Sequence, residues 1–328
     1  MAGRPVQHIV SAALVSAALI SAALATATWL IVVPARAQQP QYADECSDSA
    51  VKRLSIEVRI SGCTAAIQSG RYSGKDLFRV FLLRGIAYTD KKDYERAIAD
   101  YNEAIQLDPQ DPKAFYDRGN AWRGKGDLNH AIADYTEAIR LDPNHTNAYS
   151  DRGGLWNAKG DPDRAIADLN QAIRLDPNHI NAYNNRAHSW ALKGDLDRAI
   201  DDLNQAIRLD PGFSAAYNNR GNAWSGKGDL ERAIADYTEA IRLDPNYTFP
   251  YNGRGNAWRT KGELEGAIAD YTEAIRLDPN YANAYTNRGL AYERMGKKTE
   301  AIADFRKALS IVPSLRQSID GLKRLGAT

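Results

Sequence analysis

The sequence predicts an all-α solenoid of stacked helix-turn-helix units, and three regularities carry that expectation. Trp122, Trp156, Trp190, Trp224 and Trp258 stand 34 residues apart without a slip. Leu-Asp-Pro returns at the same interval, beginning at Leu107, Leu141, Leu175, Leu209, Leu243 and Leu277. Pairs of alanines seven residues apart keep the period too, from Ala97 and Ala104 to Ala301 and Ala308. A fixed period of this size marks one supersecondary unit copied end to end, because a single copy cannot bury its apolar face alone.

The amino-terminal 37 residues are a different material. Arg4 gives a positive start, Ile9 to Val33 is apolar, and Pro34-Ala35-Arg36-Ala37 closes with an A-x-A site. This is the anatomy of a secretory signal peptide, although the apolar run is also long enough for an uncleaved anchor. Either way the charge pattern places the rest of the chain outside the cytoplasm, periplasmic or secreted. The leader's style resembles bacterial export signals. Residues 38–45 read as a flexible leader.

Residues 46–77 read as a degenerate capping repeat. The segment from Ile60 to Ile67 echoes the one from Ile98 to Ile105, with Cys63 in the place of Tyr101. Cys46 and Cys63 are the only cysteines, and an even pair in an exported chain favours a disulfide that pins the segment over the open end of the stack.

Seven units follow: 78–111, 112–145, 146–179, 180–213, 214–247, 248–281 and 282–315. In each second half a large apolar residue lies between the two alanines, as Tyr101, Tyr135, Leu169, Leu203, Tyr237, Tyr271 or Phe305. Steps of four and three keep all three on one helical face. The first half is a second helix, whose apolar stripe in one copy is Tyr217, Gly221 and Trp224. Between the halves stands Gly-Asp, as in Gly126-Asp127, where glycine ends one helix and aspartate caps the next. The proline of Leu-Asp-Pro then stops the second helix. Residues 316–328 carry Ile319, Leu322 and Leu325 at helical spacing, the pattern of a helix that closes the last unit.

This pattern resembles the tetratricopeptide repeat family, exported bacterial type. One copy reads Phe115-x2-Arg118-Gly119-x2-Trp122, then Ala131-x3-Tyr135, Ala138 and Pro143. The resemblance implies a right-handed α-solenoid whose first helices line a concave groove, and a final helix, 316–328, that solvates the stack. One departure is systematic. The family usually has leucine where this chain has Arg84, Arg118, Arg152, Arg186, Arg220, Arg254 and Arg288, and an aspartate follows each by sixteen residues, from Asp100 to Asp304. In a hairpin folded about Gly-Asp the two positions sit at about the same height, which points to an Arg–Asp ladder within or between repeats. An arginine row for anions is the alternative reading, and seven matching acids oppose it.

Composition narrows the function. With 42 basic and 41 acidic residues the chain has no basic stripe for a nucleic-acid backbone. No nucleophile elbow, zinc-protease motif or phosphate-cradling loop is present, so neither enzyme activity nor a cofactor or metal is expected. His145 and His179 share one position between units and read as variable turn residues.

The working surface is therefore sought on positions that packing leaves free. Along the first helices these give Tyr116, Asn120 and Arg123; Asn157; Asn184 and His188; Asn218 and Asn222; and Asn252, Asn256 and Arg259. An asparagine side chain carries a donor and an acceptor, the complement of a peptide bond. The resemblance implies that this stripe faces a ligand. The expectation is a non-catalytic scaffold that binds an extended peptide or protein surface in the cell envelope. The alternatives are a recruiting module for a separate envelope glycosyltransferase or hydrolase, or a glycan-binding groove.

Overall fold

The computed structural model describes residues 46, 47 and 53–327. The expected signal peptide (1–37) and leader (38–45) lie outside the described residues. Among the described residues the chain forms sixteen α-helices and no strand. α1 (Ile56–Gln68) precedes seven helix pairs. These are α2 (Gly74–Asp90) with α3 (Tyr94–Leu107), α4 (Pro112–Lys125) with α5 (Leu128–Leu141), and α6 (Thr146–Ala158) with α7 (Pro162–Leu175). Then come α8 (Ile180–Leu192) with α9 (Leu196–Leu209), α10 (Ser214–Gly226) with α11 (Leu230–Leu243), and α12 (Thr248–Lys261) with α13 (Leu264–Leu277). α14 (Ala282–Arg294) with α15 (Lys298–Ile311) completes the pairs, and α16 (Arg316–Arg324) follows. The helix that contains Phe78 starts earlier than its repeat position, at Gly74, because Ser73 ends the preceding stretch in an extended conformation. None of the described helices is long and apolar enough to cross a membrane.

Local chemistry sets the boundaries. Gly126 adopts φ +87°, which a side chain would strain, and turns α4 into α5. Asp127 then accepts from the backbone N–H of His130 and satisfies one orphan donor of α5. Asp161, Asp195 and Asp229 cap their helices in the same way. At the far end of the first six second helices the aspartate of Leu-Asp-Pro leaves the helix in an extended conformation and accepts from the N–H two residues on, as Asp142 does from Asn144 at 3.0 Å; Val312 holds that place in the seventh. That side-chain turn fixes the break together with the proline.

The core runs as a column through the stack. Tyr101, Tyr135, Leu169, Leu203, Tyr237, Tyr271 and Phe305 are buried at 2% exposure or less, and the alanines that flank them are almost completely covered. A Cβ on Gly119 would stand 2.7 Å from Tyr135 Cε1, so glycine lets the first helix settle onto the ring. Repeat four makes the opposite choice, with Ala187 over the smaller Leu203.

Each second helix packs against the first helix of the next pair, so the units stack in chain order. First helices of successive repeats approach one another and second helices do so less, which puts the first helices on the inner side of the bend. α16 closes the column: Leu322 is buried, and Ser318 exchanges a hydrogen bond with Thr286 at 2.8 Å. At the other end Cys46 Sγ and Cys63 Sγ stand 2.05 Å apart, so the first described residues lie against α1.

Candidate functional site

The arginine row belongs to the stack. Each arginine makes a two-pronged pair with the aspartate sixteen residues on, as Arg186 does with Asp202 at 2.8 and 2.6 Å. All seven pairs form within a repeat. The third arm reaches the previous repeat: Arg186 Nη1 donates to Asn170, and Arg152 Nη1 donates to Thr136. Each guanidinium also lies over the aromatic ring three residues before it, such as Tyr183 at 5.6 Å. One arginine thus joins three helices, and its donors are spent on partners within the stack. Burial raises the pKa of Asp100, opposed by the hydrogen bonds from Arg84.

The tryptophan row is also engaged in packing. Trp156 and Trp224 lie under Arg164 and Arg232 at 3.8 Å, Trp190 lies under Arg198 at 4.7 Å, and Trp122 stacks on His130 at 4.6 Å. Lysines one turn farther along tie the rim to the previous repeat, as Lys125 does to Glu95 at 2.6 Å. These half-buried rings seal the seam between first and second helices.

That leaves the inner face. The first-helix stripe, expected to be free of packing along its whole length, is divided in the structure. Asn157 and Asn218 are buried. Asn157 donates to the carbonyl of Asn185 and accepts from Ser189, and so joins repeats three and four instead of facing solvent. The reason is close approach: Gly154 has no side chain, so α6 and α8 come near enough for Asn157 to be enclosed. Tyr116 and Arg123 converge on Asp151 of the next repeat at 2.7 and 2.8 Å, beside Asn120, which accepts from the Tyr135 hydroxyl. This trio forms a self-contained charged cluster.

Farther along, the structure brings His188, Asn218, Asn222, Asn252 and Asn256 around one recess of about 500 Å³. Asn184 adjoins it by accepting from Asn219, and Arg259 adjoins it by donating to the Tyr271 hydroxyl. No Asp, Glu, Lys or Arg lines the recess. His188 is exposed toward the groove, yet desolvation by the surrounding walls lowers its pKa and favours the neutral ring. One wall is aromatic. Tyr247, Phe249 and Tyr281 meet edge to face at 5.7 Å steps, and Phe249 is 56% exposed.

Sequence reasoning missed Tyr247, Tyr281, Asn219 and Gly253. The tyrosines occupy the between-unit position of His145, His179 and Phe213, so reading that column would have found them. Gly253 replaces the polar residue found at Asp151, Asn185, Asn219 and Asn287; a Cβ there would meet Tyr237 Cε1 at 2.6 Å. Among the described residues no group of three or more His, Cys, Asp or Glu side chains could hold a metal.

Comparison with known proteins agrees with this architecture. The tetratricopeptide repeat pattern matches residues 112–145, 148–179, 180–213, 214–247 and 282–315, and a related TPR pattern matches 85–122 and 255–296. No curated protein matches the sequence. Among solved structures, a chain of the APC/C hetero-tetramer Cut9–Hcn1 superposes with TM-score 0.67 at 19% identity, over 88% of this chain. The chain spans 58% of that one. A tetratricopeptide repeat protein from Parabacteroides merdae superposes with TM-score 0.63 at 20% identity, over 76% of this chain and 98% of its own. Both share the solenoid fold. With seven in-register units and these matches, the chain belongs to the tetratricopeptide repeat family.

Proposed function

We propose that this chain is a non-catalytic protein-interaction scaffold whose inner groove holds an extended polypeptide through its backbone. The recess across repeats four to six carries the proposal. It gathers amides from successive units on the inner face, contains no side chain of fixed charge, and lies where the tyrosine and arginine packing leaves side chains exposed. Amides at regular spacing suit a chain of peptide groups. The test is capture of partners by immobilised protein. Replacement of Asn222, Asn252 and Asn256 by alanine is expected to abolish capture with the helical content unchanged; equal capture by the variant refutes the groove.

The export reading completes the proposal. The chain works in the bacterial cell envelope, periplasmic or held at the inner membrane by its apolar amino-terminal segment, with Cys46 and Cys63 oxidised to a disulfide. The apolar run, the A-x-A site and the cysteine pairing distance support it. Fractionation with amino-terminal sequencing tests it: protein retained in the cytoplasm with a free thiol pair overturns the location.

A further inference from the structure

The recess has a chemical bias that its residue list does not reveal. Asn222 Oδ1 accepts from the Tyr237 hydroxyl at 2.7 Å, and Asn256 Oδ1 accepts from the Tyr271 hydroxyl at 2.8 Å. Asn252 Oδ1 accepts from Asn287 Nδ2 at 2.9 Å. Burial raises the pKa of both tyrosines, that of Tyr271 to about 12, so their hydroxyls keep their protons and remain donors. The acceptor half of each asparagine is therefore engaged inside the stack. The Nδ2 groups of Asn222, Asn252 and Asn256 make no hydrogen bond among the described residues. At these three positions the group left free toward the groove is a donor.

We infer that this recess selects an uncharged, proline-rich stretch of the extended ligand. The inference rests on the peptide-groove reading and names the chemistry of its occupant. A proline segment offers carbonyl acceptors and no N–H, which matches a surface with donors to spare. An ordinary extended strand also brings one N–H per residue, which these three Nδ2 groups cannot accept. The wall of Tyr247, Phe249 and Tyr281 supplies the flat aromatic surface on which pyrrolidine rings pack. A charged ligand residue would lose water here and gain no counter-ion.

The experiment uses fluorescein-labelled decaproline, a Gly-Ser decapeptide and chitotetraose, titrated against the full chain. Decaproline is expected to bind roughly tenfold tighter than the Gly-Ser peptide, because its backbone is pre-ordered and presents no competing donor. Asn222→Asp and Asn256→Asp keep shape and still accept from their tyrosines, yet replace a donor by an acceptor. Each is expected to weaken decaproline binding roughly tenfold. Phe249→Ala, at an exposed position, should weaken it with the helical signal unchanged. Equal affinity for the two peptides overturns the proline inference and leaves the peptide groove standing. Binding of chitotetraose alone, or of no probe, overturns both.

Discussion

Removing one arginine of the ladder should expose how the stack is fastened. In the variant Arg186→Leu, Asp202 stays in place at 7% exposure and loses both of its guanidinium hydrogen bonds, while Asn170 loses its donor from the next repeat. Breaking a buried pair from one side typically costs 3–5 kcal/mol, because a charge is left without a partner. Arg186 keeps about a fifth of its side-chain surface in water, so the lower end applies, about 3 kcal/mol. Exchanging both members, Arg186→Leu with Asp202→Ala, removes the stranded charge and should cost less than about 1.5 kcal/mol. Stacked repeats need not unfold as one unit, so a single global midpoint is a poor measure. Hydrogen exchange of the slow amides in α8 and α9 reports the local opening energy. A double variant that loses as much as the two single variants combined would show no coupling. So would a loss below about 1 kcal/mol in Arg186→Leu, and either result refutes the ladder as a fastening.

Three further outcomes follow from packing and charge. Gly119→Ala drives a methyl group against Tyr135 and should destabilise repeat two by about 2 kcal/mol in exchange measurements. Adding Tyr135→Leu should recover most of that, since repeat four pairs Ala187 with Leu203; no recovery would refute the contact. Asp117 has a carboxylate oxygen without solvent or partner, and burial pushes its pKa up to about 6. The folded state therefore holds the proton more tightly than the unfolded one, and stability falls as pH rises from about 4 to 6. Asp117→Asn should flatten that slope in urea titrations and add about 2 kcal/mol at neutral pH, whereas an unchanged slope refutes it. Reduction of the Cys46–Cys63 pair, seventeen residues apart, should speed exchange throughout α1 by the equivalent of about 3 kcal/mol. Equal exchange with and without reductant would show that the pair does not hold the cap.

The fold was legible because every boundary signal is local and repeated. Gly126-Asp127 and Asp142-Pro143 act through their own backbone and need no distant contact to be understood. The ladder was legible as a pairing, because sixteen residues across a tight hairpin fixes height. Its third arm, to Asn170 or Thr136, was not, because the offset between neighbouring repeats depends on how alanine faces settle together. The groove was the least legible part. Asparagines on a stripe say nothing about which half of each amide is engaged; that depends on the reach of Tyr237 and Tyr271 from the second helices. Spacing along one helix cannot foresee the burial of Asn157, because it depends on Gly154 letting the next helix close over it.

Glycines on the inner face also shape the molecule as a whole. Two joints have a glycine where the neighbouring repeat is near: a Cβ on Gly154 would meet Asn185 Nδ2 of the next repeat at 3.4 Å, and one on Gly253 would meet the Tyr237 ring of the previous repeat at 2.6 Å. Everything beyond Gly253, namely two repeats and the closing helix, is carried as a lever on that one joint. A single side chain added there would swing the far end of the molecule through an arc while leaving each repeat intact, and small-angle scattering would register it as a change in length.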